Sequence, residues 1–264
     1  MSDSSSPPDL SRIAVILTTC RHGPADRPRE VWNDTIMAMN SVTLYAPEVE
    51  LVVAWQGNAA PAEYLDNPRL RLVRQPDSCS TFGEANAFAV QHTDADELIM
   101  LNDDAVLTPD TLSVLLEDRD LLRETHPDLK IGLLGCRSNF VPGAQNVRAA
   151  NGGALQPNQL RFDSEGRVIA SDRISPIAAY LERSALDAIG GFPPLHWFSD
   201  DLMCFDLKRK GYMNLVSRAY VHHIGQRASI QSGASQESMS RDAIEWLREN
   251  RPDFHALLTA QRAS

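Results

Sequence analysis

Four short apolar runs, Ile13 to Thr18, Leu51 to Trp55, Leu70 to Val73 and Leu98 to Leu101, alternate with segments of helical spacing near 31 to 45, 82 to 92 and 109 to 124. This alternation restricts the fold more than any other feature of the chain. Runs of that length read as buried strands, and strands separated by helices build a mostly parallel sheet covered on its faces. Ligands of such sheets bind beyond the carboxyl ends of the strands. The expected class is therefore α/β, with a Rossmann-like, mostly parallel central sheet flanked by helices.

The fourth run ends in charge. Leu98-Ile99-Met100-Leu101 leads directly into Asn102-Asp103-Asp104, and Thr108-Pro109 then reads as the cap and first residue of a helix. Carboxylate oxygens are natural ligands of hard divalent cations, and magnesium or manganese in such places shares a substrate's phosphates instead of sitting in a closed protein cage. The implied substrate is phosphorylated. A solvated turn would also carry aspartates here, because their side chains bond the turn's own backbone, so other segments have to decide.

The 264 residues, 43% hydrophobic and 23% charged, suit one elaborated domain. A net charge of -10 offers no general attraction to phosphate polymers or anionic lipid, which disfavours a nucleic-acid binder. Cys20, Cys79, Cys136 and Cys204 are too scattered for a zinc site or a disulfide framework and fit a reducing cytoplasm. Residues 1–11 read as a flexible leader without the apolar stretch of a signal peptide. No window approaches the roughly 20 apolar residues of a transmembrane helix. The expectation is a soluble, cytoplasmic protein.

Residues 137–176 are rich in glycine, proline and polar side chains and read as loops and short antiparallel strands that shape a pocket. Beyond them come a strand at Ile177 to Leu181, a helix at Arg183 to Ile189, a Gly190-Gly191-Phe192-Pro193-Pro194 break, a helix from Ser199 to Lys210, and strands at Met213 to Val216 and Ala219 to His222. A helical stretch from Gln236 to Gln261, interrupted at Pro252, closes the chain.

Two further clusters carry chemistry. In His196-Trp197-Phe198-Ser199-Asp200-Asp201 two carboxylates meet the positive end of a helix. Ser199 or Asp200 suffices as a cap, which leaves Asp201 available as a general base. In Tyr220-Val221-His222-His223, adjacent strand residues face opposite ways, so at most one histidine enters the site. A lone histidine is more often structural, but manganese tolerates one imidazole among oxygens.

Taken in order, these segments resemble the inverting glycosyltransferases of family 2, whose catalytic domain has the nucleotide-sugar-binding GT-A fold. The resemblance runs from about Arg12 to Ser229. It implies a donor-binding loop at Thr18-Thr19-Cys20-Arg21, with Thr18, Thr19 and Arg21 as contacts, and a glycine-to-asparagine stretch at Phe82-Gly83-Glu84-Ala85-Asn86-Ala87, with Gly83 and Asn86 on the donor side. Asn102-Asp103-Asp104 stands in place of the DxD motif, which implies Asn102 and Asp103 as donor contacts and Asp104 as metal ligand. Ala178 through Gly191-Phe192 matches the acceptor-side strand, helix and GGF turn. Asp201 matches the catalytic base, with Asp200 and Trp197 orienting or acceptor-side, and His223, followed by Gly225 and Ser229, matches a late metal or diphosphate ligand.

The chain departs from the family pattern at Asn102, a neutral amide in place of an acid, and at Gln56, which stands near the usual base-reading acid and is taken as a donor contact. The resemblance implies a divalent cofactor, Mn2+ or Mg2+, and a nucleoside diphosphate sugar donor, with a UDP-sugar as the default. The QxxRW signature of processive synthases is absent, so transfer of a single sugar to an unidentified acceptor is expected. The expected organisation is a leader (1–11), a GT-A domain (12–235, with its nucleotide-sugar half at 12–136 and acceptor half at 137–235) and a C-terminal helical extension (236–264). Two other readings stand beside this one: a nucleotidyltransferase of similar fold, and a non-catalytic nucleotide-sugar-binding descendant.

Overall fold

Among the described residues the sheet has nine strands, and the four apolar runs form one side of it, from its edge inward. The structure, a computed structural model, describes residues 10–19, 29–56, 67–147, 168–225 and 236–263. Its strands are Ile13–Thr18 (β1), Glu50–Trp55 (β2), Leu70–Arg74 (β3), Glu97–Asn102 (β4), Ala105–Leu107 (β5), Ile131–Ser138 (β6), Ile169–Ala170 (β7), Ala178–Glu182 (β8) and Met213–His223 (β9). The helices are Arg29–Tyr45 (α1), Phe82–Val90 (α2), Thr111–Thr125 (α3), Arg183–Ala188 (α4), Ser199–Arg209 (α5), Gln236–Asn250 (α6) and Pro252–Ala263 (α7).

The sheet order is β3-β2-β1-β4-β8-β6-β9-β5, with β7 also paired to β9. Strands β1 to β4 are mutually parallel. Strand β8 runs antiparallel between β4 and β6, and β9 lies parallel to β6. The start of β8 therefore lies beside the carboxyl end of β4, where ligands of such sheets bind.

Alternation along β1 divides the core. Ile13, Val15 and Leu17 face Met39 and Val42 of α1 and Leu112 and Leu115 of α3. Ala14 and Ile16 face Ala89 of α2, Leu186 of α4 and Met203 and Leu207 of α5. Both sheet faces are covered, which explains why β1 is apolar at nearly every position. A third cluster joins Leu195 and Leu202 to Ala243, Leu247 and Phe254 of the C-terminal helices. Among the described residues no helix is long and apolar enough to cross a membrane.

The structure adds two strands that the sequence pattern did not announce. The apolar stretch in β6 contains Gly132 and Gly135, which weaken a strand signal, yet every residue of β6 is buried. Strand β5 occupies the chain directly after Asp104, because Ala105, Val106 and Leu107 pair with His223, His222 and Val221. The expected helix start at Thr108-Pro109 is accordingly displaced to Thr111. Thr108 donates its hydroxyl to Asp110 and caps no helix.

The two strands expected around 213–216 and 219–222 are one strand, β9. Ser217 and Arg218 look like a polar break, but the fully buried Asp118 of α3 accepts from the Ser217 hydroxyl at 2.6 Å and the Arg218 amide at 2.7 Å. That satisfied carboxylate lets the strand continue.

Helix α2 starts with a reciprocal cap: Thr81 Oγ1 accepts from the Glu84 amide and Glu84 Oε2 accepts from the Thr81 amide. Its first turn presses on the loop before α5. The Gly83 amide donates to the Leu195 carbonyl at 3.0 Å, and a Cβ at Gly83 would lie 1.6 Å from the Pro193 carbonyl oxygen. Gly83→Ala should therefore destabilise the protein by about 1–3 kcal/mol, the usual range for overpacking, seen as a lower urea midpoint. An unchanged midpoint would mean that the loop does not seat against α2.

Candidate active site

The turn Asp103-Asp104 joins β4 to β5 at the carboxyl end of the parallel strands. Because Ala105 lies opposite His223, and the Ile224 amide donates to the Asp104 carbonyl at 2.9 Å, the ends of β5 and β9 are locked together. This lock puts His223 Nε2 3.0 Å from Asp104 Oδ1. His222 takes the other face of the strand, exposed, with Nδ1 3.3 Å from the Tyr220 hydroxyl.

Residues with no sequence signal fix the His223 imidazole. Asn139 bonds both the amide and the carbonyl of His223, at 2.8 and 3.0 Å. Nδ1 lies 2.6 Å from the Phe140 carbonyl, a pairing that makes Nδ1 the protonated nitrogen and turns Nε2 toward Asp104. The Phe140 ring packs against the imidazole with centroids 5.9 Å apart. Gly225 completes the corner: its φ of +91° favours glycine, and a Cβ there would meet the Phe140 ring at 3.0 Å. Burial opposes the charged imidazole, but the hydrogen bond and charge of Asp104, the Phe140 carbonyl and the charge of Asp103 outweigh it and raise the His223 pKa.

The other expected donor residues lie along the same sheet end. Thr18 is in register with Asn102 across β1 and β4. Asn86, buried on α2, donates to the Phe82 carbonyl at 2.8 Å and reaches the Thr18 hydroxyl at 3.4 Å. Thr19 is fully buried; its hydroxyl accepts from the Gln56 amide at 3.2 Å and its carbonyl accepts from Gln75 at 3.0 Å. The Gln56 side chain donates to the Cys79 and Pro76 carbonyls. These groups form a braced floor, and Gly83 seats α2 against the 193–195 loop. Arg21 lies outside the described residues.

The second acidic pair stands at the start of α5. Neither Ser199 nor Asp200 is the cap expected from sequence: the cap position is Phe198, in the left-handed region at φ 64°, and the Ser199 hydroxyl donates to the Pro193 carbonyl. Asp200 accepts from its own amide, the Asp201 amide and the Ser175 side chain. Asp201 is gripped by the fork of Arg173, with Nε 2.6 Å from Oδ1 and Nη2 3.0 Å from Oδ2. Burial raises the pKa of both carboxyls. For Asp201 burial acts first and the Asp200 charge second; against the pull of Arg173 they push it up to about 7. Trp197 lies just before, half-buried, and its buried indole N–H has no hydrogen-bond partner among the described residues.

The segment 173–177 joins the two acidic pairs. The Asn102 amide donates to the Ile177 carbonyl at 2.9 Å, Ser175 bonds Asp200, and Arg173 holds Asp201. Gln145 braces the segment by accepting from the Ser175 amide at 2.7 Å and donating to the Ser175 carbonyl at 3.0 Å. Arg173, Gln145, Asn139 and Phe140 all come from the irregular 137–176 region, where no periodicity marks them.

Among the described residues no three His, Cys, Asp or Glu side chains converge as a metal cage. The Asp104–His223 pair offers one carboxylate oxygen and one imidazole nitrogen 3.0 Å apart, compatible with two neighbouring ligands of one hard cation. The remaining positions would fall to phosphate oxygens or water.

The sequence matches no family model, and no curated protein matches it. The fold is shared with solved glycosyltransferases. A mannosyltransferase from Pyrobaculum calidifontis, solved with GDP-Man and Mn2+, is 15% identical with a TM-score of 0.57, over 99% of this chain and 82% of that one. TarS 1-349 of S. aureus with UDP-GlcNAc is 13% identical with a TM-score of 0.53, over 89% and 71% of the two chains. GalNAc-T7 with UDP, GalNAc and Mn2+ is 15% identical with a TM-score of 0.57, over 82% of this chain and 44% of that one.

The raised Asp201 pKa carries a stability signature. Its folded value of about 7 lies above the ordinary 3.8, so the native state holds an extra proton between those values and stability falls as pH rises through that window. Wild type should lose stability relative to Asp201→Asn between pH 5 and pH 8, measured by urea unfolding at each pH. Arg173→Met removes the counter-charge and should move the Asp201 titration, followed by carboxyl NMR, upward by about one pH unit or more. No movement would show that the ion pair is not made in solution.

Proposed function

We propose that the chain is an inverting glycosyltransferase of the family 2 type, moving a single sugar from a nucleoside diphosphate sugar, by default a UDP-sugar, to an acceptor hydroxyl. The observation that carries this reading is the pairing of a carboxylate–imidazole unit with a carboxylate–guanidinium unit, tied to one sheet end by residues 173–177. The shared fold supports it, since the solved relatives of that fold were captured with nucleotide sugars, nucleotide or manganese.

The donor lies beyond the ends of β1 and β4, along Thr18, Asn102 and Asp103. Asp104 and His223 would hold Mn2+ or Mg2+, which when bound supplies positive charge against the departing diphosphate. Phe140 and Asn139 keep the imidazole turned toward that point. On the other side Asp201 takes the acceptor proton as the hydroxyl oxygen attacks the face of the anomeric carbon opposite the diphosphate. Arg173 aligns the carboxylate and favours its ionised form, while Asp200, bound to Ser175 and two backbone amides, holds the turn in place.

A thermal-shift panel of nucleoside diphosphate sugars with and without Mn2+ tests the reading, because a ligand selective for the native state raises its stability by mass action. Calorimetry of UDP with Mn2+ should show most of the metal-dependent affinity lost in Asp104→Ala, and a larger loss in His223→Ala than in His222→Ala. Asp201→Asn should keep donor binding while turnover drops by about 10²-fold or more, the reach of a general base. Near-native transfer by a folded Asp201→Asn protein would remove Asp201 from the chemistry.

A further inference from the structure

A cavity of about 510 Å³ opens between α5, residues 172–173 and α7. Asp201, Arg173, Arg209 and the Asp172–Lys208 ion pair give it a charged lining, and Phe198, Phe205, Phe254, Leu257 and Leu258 give it an apolar wall. The volume is that of a small-molecule site.

The wall favours rings. Three of those five apolar residues are phenylalanines, and Phe205 and Phe254 already meet as a tilted pair with centroids 5.2 Å apart. Flat aromatic bodies gain both buried area and favourable edge or offset contacts against such rings. The Arg209 guanidinium, 5.5 Å from the Phe205 centroid, adds a planar cation at the rim that also suits ring faces. Phe198 stands in the wall despite its left-handed backbone, a conformation that costs a bulky residue energy and that persists where packing or function requires it. Leu257 remains 41% exposed at the mouth. A charged lining beside an apolar wall suits a molecule that is polar at one end and apolar at the other.

We propose that this cavity is the acceptor site and that the acceptor is a hydroxyl carried on an aromatic body, with its ring against Phe198, Phe205 and Phe254 and its hydroxyl at Asp201. The proposal rests on the transferase reading above and names its acceptor class. The acceptor O–H gives its proton to Asp201, its oxygen forms the new bond to the anomeric carbon, and the bond from that carbon to the diphosphate breaks with its electron pair leaving on the diphosphate. The C-terminal helix α7 is thereby part of substrate recognition.

The test compares three probes on the full chain by calorimetry: glucose, octyl glucoside below its micelle concentration, and 4-nitrophenyl glucoside. The aryl glucoside should bind at least about tenfold more tightly than glucose, as expected for burying one ring, and more tightly than the octyl compound. Leu257→Asp, a surface change that spares the core, and Phe254→Leu should each weaken aryl binding about tenfold or more while UDP binding with Mn2+ is unchanged. Equal binding of octyl and aryl glucosides would overturn the aromatic class, and equal binding of glucose and aryl glucoside, or variants without effect, would overturn the site. If the aryl probe binds as expected but no nucleoside diphosphate sugar binds, the transferase reading fails and with it the acceptor role. If sugar is transferred to acceptors whose KM ignores Leu257→Asp, the transferase reading stands and the acceptor assignment falls.

Discussion

The three-residue pairing of β5 with the end of β9 is the contact on which the candidate site depends. It joins Ala105 to His223 across more than a hundred residues of sequence and sets an imidazole against Asp104. A strand this short contributes few ladder bonds, so its position is secured from outside. Ser41 of α1 accepts from the Leu107 amide at 3.0 Å, Asn139 clamps the His223 backbone, and the Asp104 carbonyl accepts from Ile224. The site thus inherits its geometry from both helix α1 and the irregular segment after β6.

The carboxylates at the start of α5 are held against their own electrostatics. Burial disfavours both ionised forms and the Asp200 charge adds to it at Asp201, while the Arg173 fork, the backbone amides and Ser175 offset only part of that cost. Perturbed carboxyls of this kind cluster at sites of chemistry, where a base poised near neutrality is more useful than a fully ionised aspartate. Ordinary ion pairs in the fold differ. Asp118 meets Ser217 and Arg218 inside the protein, and Arg251 forks onto Asp206 at 2.5 and 2.6 Å, each carboxylate placed to brace two elements.

The C-terminal helices are integral to this second half. Phe254 and Leu247 are buried against Leu195 and Leu202, the Arg251–Asp206 fork ties the α6–α7 junction to α5, and Arg209 of α5 pairs with Asp253 of α7. The loop from Gly190 to Phe198 is held from two directions, by Gly83 of α2 and by this cluster. Movement of the extension would therefore be felt at Asp201.

The amino-acid order by itself determined the four parallel strands and their helices, because each is encoded in local periodicity: continuous apolar runs buried on both faces, then amphipathic spacing. It also determined where charge would emerge, since Asp103-Asp104 follows an apolar run and Asp200-Asp201 opens a helix, and strand alternation separated His223 from His222. Tertiary structure decided the rest. Strand β6 is hidden by its glycines and β5 by its length; pairing with β9 drew residues 105–107 out of the expected approach to a helix, so Thr108 lost its cap role. Ser217 and Arg218 resemble a break until Asp118 is brought beneath them. Arg173, Gln145, Asn139 and Phe140 lie in a region without period, and what each does depends on partners that only folding supplies: a carboxylate 28 residues away for Arg173 and an imidazole 83 residues away for Phe140. Local pattern reports which face a side chain takes, whereas the partner it meets there is a property of the assembled sheet.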